Sequence, residues 1–471
     1  MKKFRLLSLV LVMIMVLTLF VSCQTGTTDV EEAPSEVKEE AKAEEPAPAA
    51  PGEFGDIDWK QFEGTTLTVV CTAMPVSEIY KKYIPEFEEL TGMKVKFEML
   101  NDADRKSAQL VDFKAGSAKY DVSNVGISNR EEFVAGDYLE PIQAYLDNPA
   151  LTDADYYNIA DYPKDVLAGG YSHDGTLVYI PYTAEYFLLW YREDIFDQLG
   201  LKVPKTIAEL EATAETIEQA RAAGDVDTYA FIERTMGTGE GGWDMFCTAN
   251  RMNVELMDFD GMNALINTEG GYELMDYYTR MNIKYGPPGS GNWAWTDVND
   301  AFGQGMVAMI CGGNAGAPGA ANPDNSKVAD KVNFAAVPMN SDGKDPLWEW
   351  GWSINAASEN KDASWLLVQW MTSPTLMQKM APEYGCPARE SIYSDADYIS
   401  AMPSQEFIDA QLYMMTEGIN PSPSLLHAKY GEATDIIAKE MNNVVAGIKD
   451  AKQACIDAEA ALVNIGYAPA K

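Results

Sequence analysis

The chain has 471 residues, of which 46% are hydrophobic and 11% aromatic, enough for two or three domains with cores of their own. Lys and Arg number 35 against 72 Asp and Glu, a formal net charge of -37. Nucleic acid and anionic membrane surfaces repel such a chain, which excludes both as partners of its body. Solubility is the plain reading of the acidity.

Lys2, Lys3 and Arg5 open the chain, Leu6–Val21 is apolar almost throughout, and Phe20-Val21-Ser22-Cys23 follows. A basic start, a short apolar stretch and small residues before a cleavage point predict a secretory signal over residues 1–22 rather than a spanning helix. The end of this stretch resembles the lipobox of bacterial lipoproteins, with Phe20 where Leu is usual. That resemblance implies cleavage before Cys23, lipidation of Cys23, and an extracytoplasmic body anchored to the cell membrane, in the periplasm or on the cell surface. Residues 23–55 are acidic and Pro-rich and predict a disordered, extended tether. Five further cysteines (Cys71, Cys247, Cys311, Cys386, Cys455) show neither a CxxC pair nor zinc-site spacing. The compartment permits disulfides, but the odd number leaves at least one thiol unpaired, and scattered buried thiols are expected.

In the body, Thr65–Cys71 is a short β-rich run. In Glu78–Thr91, the residues Ile79, Tyr80, Tyr83, Ile84, Phe87 and Leu90 fall on one helical face, and Gly92 is placed to close that helix. Lys94–Met99 alternates, and Tyr120–Val125 is another strand. Strand, helix, strand is the rhythm of a parallel, doubly wound sheet. Thr176–Ile180 and Tyr186–Tyr191 predict two strands separated only by Pro181-Tyr182-Thr183-Ala184-Glu185. Thr206-Ile207-Ala208-Glu209 is a capping box, opening a helix that Gly224 can end. Thr228–Ile232, Met306–Cys311 and Val332–Val337 predict strands. Asp362–Met371 and Glu432–Ile448 predict helices, and no internal repeat is found.

The order of these segments resembles the extracellular solute-binding proteins of carbohydrate ABC importers, the maltose- and maltodextrin-binding group. Four stretches carry the resemblance: PEFEELTGMKV (Pro85–Val95), DGTLVYIPYTAEYFLLWYREDIFDQLGL (Asp174–Leu201), AFGQGMVAMICGG (Ala301–Gly313) and GWSINAASENKDASWLLVQWMTSPTLMQ (Gly351–Gln378). It implies an α/β fold of the two-lobed periplasmic binding protein type (type II-like), with lobes discontinuous in sequence and joined by a hinge. The N-lobe is expected at 60–181 with a return at 338–372. The C-lobe is expected at 186–337 with helices over 373–463. Crossings are expected near Pro181–Glu185, near Pro338 and within 358–373.

Sugars present flat C–H faces ringed by hydroxyls, so a site for them needs aromatic planes and fixed polar groups at the rim. Three Trp clusters fall in stretches that read as loops: Gly241-Gly242-Trp243, Asn292-Trp293-Ala294-Trp295 and Trp348-Glu349-Trp350-Gly351-Trp352. Loops on a rigid scaffold carry function, which makes Trp243, Trp295, Trp350 and Trp352 ligand candidates; packing under a loop is the alternative for each. The resemblance adds Glu185 in the crossing segment with its neighbours Tyr182 and Tyr186, Gly313 and Asn314 where a loop approaches the ligand, Arg389 to fork onto hydroxyls or a carboxylate, and Tyr430. It also places stacking aromatics near Trp243 and Trp352. Thr72 and Ser128 follow strands on the N-lobe side.

Enzyme signatures are absent. The two histidines, His173 and His427, are far apart, and no HExxH, GxSxG or P-loop occurs. Gly237–Gly242 matches GxGxxG after a strand, but no apolar helix plainly follows; a flexible loop delivering Trp243 is expected. The reading is a receptor that binds a sugar, oligosaccharide or polyol by hinge closure and delivers it to ABC permease subunits. It acts as a monomer, without cofactor or metal. A secreted hydrolase using paired carboxylates is the alternative.

Overall fold

The computed structural model describes residues 52–258, 261–420, 427 and 429–470. The signal segment, Cys23 and the tether as far as residue 51 lie outside the described residues, and the expected tether ends short of residue 55, because Phe54 is 2% exposed and packs on Trp59 and Trp370.

Strands β1 (Thr66–Thr72), β2 (Lys94–Leu100) and β3 (Val122–Gly126) are parallel and lie in the order β2-β1-β3. The helix Pro75–Thr91 returns the chain from β1 to β2. Pro75 sits in its first turn, where no N–H is needed, and Gly92 ends it with a left-handed φ of 71°. The helix Asp102–Ala115 links β2 to β3 and is capped by the Asn101 side chain, which accepts from Asp104 N–H. Sequence reasoning passed over this helix because its polar face is broad and its buried residues include Arg105, Gln109 and Asp112.

β4 (Ile180–Pro181) and β5 (Phe187–Arg192) follow in chain order, then β6 (Tyr229–Ile232), β7 (Met257–Asp258), β8 (Asn263–Ala264) and β9 (Val307–Gly313). After them come β10 (Val332–Ala336), β11 (Asp345–Pro346), β12 (Trp350–Ile354), β13 (Ile419–Asn420) and β14 (Ala468–Pro469). The first sheet has the order β2-β1-β3-β12-β4, with β12 antiparallel to both neighbours. The second has the order β10-β5-β9-β6, with β5 antiparallel to β10 and β9 and only β6 and β9 parallel. Each lobe is thus a mixed sheet rather than a wholly parallel one. β7, β8 and β14 form a small third sheet, and β11 pairs with β13.

Three expectations change. The strand expected at Thr176–Ile180 shrinks to Ile180–Pro181, because Leu177 makes only an isolated bridge to Tyr171. The expected loop at Gly237–Gly242 instead enters the helix Gly239–Met252. Its glycines serve close packing: a Cβ on Gly242 would stand 2.7 Å from Thr434 O, on the helix Tyr430–Val445. Trp295 begins the helix Trp295–Gly303 rather than lying in a loop. The expectation of scattered buried thiols fits the five described cysteines, all free and buried.

Candidate functional site

The chain leaves the first sheet at β4 and enters the second at β5. Between them, residues 182–186 pair with the approach to β12. Up to Pro181 the register is regular, Ile180 opposite Trp352 and Pro181 opposite Gly351. Then both Tyr182 N–H (2.9 Å) and Thr183 N–H (3.4 Å) donate to the one carbonyl of Trp350. Two residues facing one is a β-bulge. Beyond it, Glu185 rather than Ala184 meets Trp348: Glu185 N–H donates to Trp348 O at 2.7 Å and Trp348 N–H to Glu185 O at 2.8 Å. The Thr183 hydroxyl holds the bulge by accepting Trp350 N–H at 3.1 Å. A third segment flanks the pair, with Ala184 N–H donating to Cys386 O at 2.9 Å.

Directly opposed residues share a face, so Glu185 and Trp348 project together, and both are partly exposed. Trp348 lies edge-on to Trp243 (5.1 Å, 74°) and to Trp350 (6.3 Å, 63°). The three indoles form a continuous wall from the helix Gly239–Met252 to the first sheet. Trp243 keeps part of its surface in solvent, whereas Trp350 is only 8% exposed and carries the Arg105 guanidinium over its ring at 5.4 Å. Ile127, at the carboxyl end of β3, joins the apolar cluster that contains Met245 and Tyr430 and packs against Trp243 and Trp348.

The N-lobe edge of the wall lies at the carboxyl ends of β1 and β3, where an open α/β sheet presents its crevice. Thr72 Oγ1 donates to exposed Asp102 (3.2 Å), and Arg105 Nη2 donates to the same carboxylate oxygen at 2.7 Å. Thr72 N–H also takes the Asn124 side-chain oxygen at 3.1 Å. Ser128 is half-buried in the first turn of the helix Ile127–Ala135.

Burial pushes the Glu185 carboxyl up to about 7, opposed by its Thr183 partner and by the Arg234 guanidinium. Arg234 pairs with buried Asp244 at 3.1 Å. Behind it, Arg251 reaches Glu233 (3.2 Å) and Asp345 (3.3 Å), all three buried. Asp345 also accepts Phe187 N–H at 2.8 Å, fixing the start of β5 just beyond the crossing. Burial raises Asp244 to about 7 and Asp345 to about 6, with the guanidiniums pulling the other way.

Several expected site residues lie elsewhere. Trp352 is fully buried in the first-lobe core. Tyr182 stacks on it at 5.2 Å, and Tyr80 and Phe97 meet it edge-on, which leaves no ligand face. Tyr182 is itself buried, its hydroxyl accepting from Asn124. Arg389 is fully buried and donates to the carbonyls of Thr372, Asn158 and Tyr157 and to Asp161. It therefore ties chain segments together and has no fork left for a ligand. Asn314 spends its amide on Ala184 O, Gln411 and Tyr186 N–H, so it positions the crossing from below. Tyr430 is buried edge-on to Phe246. Gly313 faces open space, and Trp295 is 50% exposed, its main-chain N–H donating to the Glu240 carboxylate at 3.2 Å.

Sequence reasoning missed Trp348 as the centre of the wall, together with Asp102, Arg105 and Arg234. Trp348 was visible inside WEWGW. The polar three were not, since isolated charges carry no periodic signal. Among the described residues, no group of acidic, His and Cys side chains is placed to hold a metal.

Two mixed-sheet lobes, joined by paired crossing segments that carry Glu185 beside a row of Trp rings, define a two-lobed binding protein. The chain belongs to the bacterial extracellular solute-binding protein family, whose sequence pattern matches residues 74–378. It is 24% identical over 362 residues to an erythritol/L-threitol-binding protein of Mycolicibacterium smegmatis, covering 72% of this chain and 73% of that one. It is 25% identical over 406 residues to a probable amino-acid ABC transporter periplasmic-binding protein of Sinorhizobium fredii, covering 84% and 88%. The fold matches that of an ABC transporter solute-binding protein from Agrobacterium radiobacter solved with ribitol: TM-score 0.75, 24% identity, 86% of this chain and 99% of the other.

Proposed function

We propose that this chain is the substrate-binding receptor of an ABC importer for a polyol or small sugar. The observation that carries the reading is the Glu185–Trp348 pair. It places a carboxylate and an indole side by side at the crossing, backed by two more Trp rings. Indole faces cover C–H surfaces, and carboxylates accept from hydroxyls. Relatives named for tetritols and solved with a pentitol support this ligand class. Ligand contacts to both lobes favour the closed state by differential affinity, and closed receptor docks on the permease.

The N-lobe spans 60–181 with a return that ends at 372, and the C-lobe begins at 186 and resumes over 373–463. The start of β12 at Trp350 supports the return, which falls after residues 339–346 rather than at 338, since these still bond to Lys205, Asn250, Arg251, Ile419 and Asn420. The chain acts as a monomer, tethered through lipidated Cys23 by the acidic, Pro-rich residues that precede buried Phe54; the Lys-rich start and the Phe20–Cys23 sequence support the anchor.

The test is a thermal-shift and calorimetric screen of the purified full chain against polyols, monosaccharides and oligosaccharides, with the solute recovered afterwards. A native-state ligand raises the melting temperature by mass action. A shift with one class and intact solute is expected. No shift with any polyhydroxy solute, or a consumed one, overturns the reading.

A further inference from the structure

The charges around the crossing do not balance. On the C-lobe side four acidic groups, Glu185, Glu233, Asp244 and Asp345, share two guanidiniums, Arg234 and Arg251, a surplus of negative charge once Glu185 and Asp244 ionise above about pH 7. Both guanidiniums lie over the Phe187 ring, at 5.5 and 5.4 Å, directly beneath the crossing. On the N-lobe side Arg105 is fully buried and paired with Asp102 at 2.7 Å. Arg130 is also fully buried, donates to Glu131 at 3.0 Å and to Gly169 O, and faces buried Glu349. Arg389, the residue that would have suited an acid, is enclosed with Asp161. Each of these arginines is therefore held by carboxylates of its own, while Glu185 and Asp102 keep surface in solvent.

We infer that the crevice selects its ligand by charge, admitting neutral polyhydroxy molecules and those bearing one protonated amine, and rejecting those bearing a carboxylate or phosphate. The inference rests on the polyol and small-sugar reading and adds the charge class to it. At pH 8 an anion entering beside Glu185 meets like charge, and the guanidinium near it, partly exposed Arg234, is paired with Asp244. A protonated amine meets the opposite: a carboxylate short of counter-charge and the partly exposed rings of Trp348 and Trp243, whose faces attract cations. Neutral hydroxyls need neither, and donate to Glu185 and Asp102. The groups electrostatically coupled to Glu185 are Thr183 and Tyr182 on its own segment, Arg234 after β6, and Cys386 on the flanking segment. Arg234 is the one cation among them, and it is already committed to Asp244.

The test holds the scaffold constant and changes the charge. Glucitol, 1-amino-1-deoxyglucitol and gluconate, and the matching ribitol series, are titrated into the full chain by calorimetry at pH 8 in low salt. The alcohol and the amine are expected to bind, and the acid at least tenfold more weakly than either. In Glu185→Gln the amine should fall to within threefold of the alcohol. Wild-type discrimination should also narrow in 0.5 M salt, a measurement that stands if the variant does not fold. Acid binding within threefold of the alcohol overturns the inference while leaving the receptor reading intact. Binding by none of the six overturns the polyol reading itself, and this inference with it.

Discussion

Glu185 and Trp348 exchange two main-chain hydrogen bonds, of 2.7 and 2.8 Å, across the segments that join the lobes. Their side chains therefore stay together when the lobes move, as long as the crossing bends outside this pair. The carboxylate and its indole form a fixed unit, against which Trp243 from one lobe and Asp102 from the other can close.

Two tryptophans separate binding from stability. Trp243→Ala removes a partly exposed ring of the wall and should weaken ligand binding about tenfold or more, roughly 1.4 kcal/mol per factor of ten, with little change in melting temperature. Trp352→Ala empties a fully buried site and should cost ~3–5 kcal/mol of stability. Calorimetric titration and denaturant unfolding of both variants check the contrast; a strong binding defect in stable Trp352→Ala would return that ring to the ligand site.

Arg389→Ala leaves Asp161 without its cationic partner and removes a donor from the carbonyls of Tyr157, Asn158 and Thr372, of which the last two keep Asp161 N–H and the Tyr162 hydroxyl. A loss of ~3–5 kcal/mol is expected from breaking such a buried pair. Lys in its place cannot rescue, because one ammonium does not span that fork. Protein that does fold should bind ligand with unchanged affinity, which urea unfolding and titration together would show.

Gly242→Ala puts a methyl 2.7 Å from Thr434 O and within 3.3 Å of Ala438 Cβ. The helix carrying Trp243 must move away from its neighbour, at a cost of ~1–3 kcal/mol. Because Trp243 is the next residue, affinity and stability should fall together, unlike in Trp243→Ala.

Asp244 holds its proton up to about pH 7, chiefly through burial, against an ordinary value of 3.8. Between those values the folded state binds more protons than the unfolded one. The contribution of this group is therefore complete below pH 3.8 and is lost as pH rises through about 7. Asp244→Asn cannot ionise. Its stability relative to wild type should improve by up to ~1.4 kcal/mol per pH unit across that window, read from urea melts between pH 4 and 8. A pH-independent difference would show Asp244 ionised throughout, held by Arg234.

The sheets were legible because β1, β2, β5 and β9 are short apolar or alternating runs bounded by turn residues, and Thr206 with Glu209 announces a helix start on its own. Trp243 and Glu185 could be picked from type and place. What hid the rest was context. GTGEGGW reads as a loop by propensity, yet its glycines are there for contact with the helix Tyr430–Val445, and tertiary packing overrode the local signal. Trp352 and Trp350 are two residues apart on one strand, so the type that makes a good ligand plane also makes a good core. Only the fold separates 0% exposure from 8%. Arg105 and Arg234 take their meaning from partners distant in sequence, which a single chain does not display.

The bulge at Tyr182 and Thr183 makes pairing register, rather than residue identity alone, the control over which side chains meet Trp348. A strand has two faces, and one extra residue exchanges them. Flattening the bulge at constant chain length would set Ala184 against Trp348, whereas deleting Tyr182 or Thr183 would restore regular pairing with Glu185 still opposite Trp348. The pairing register at the crossing thus decides whether a carboxylate or a methyl group stands beside the indole.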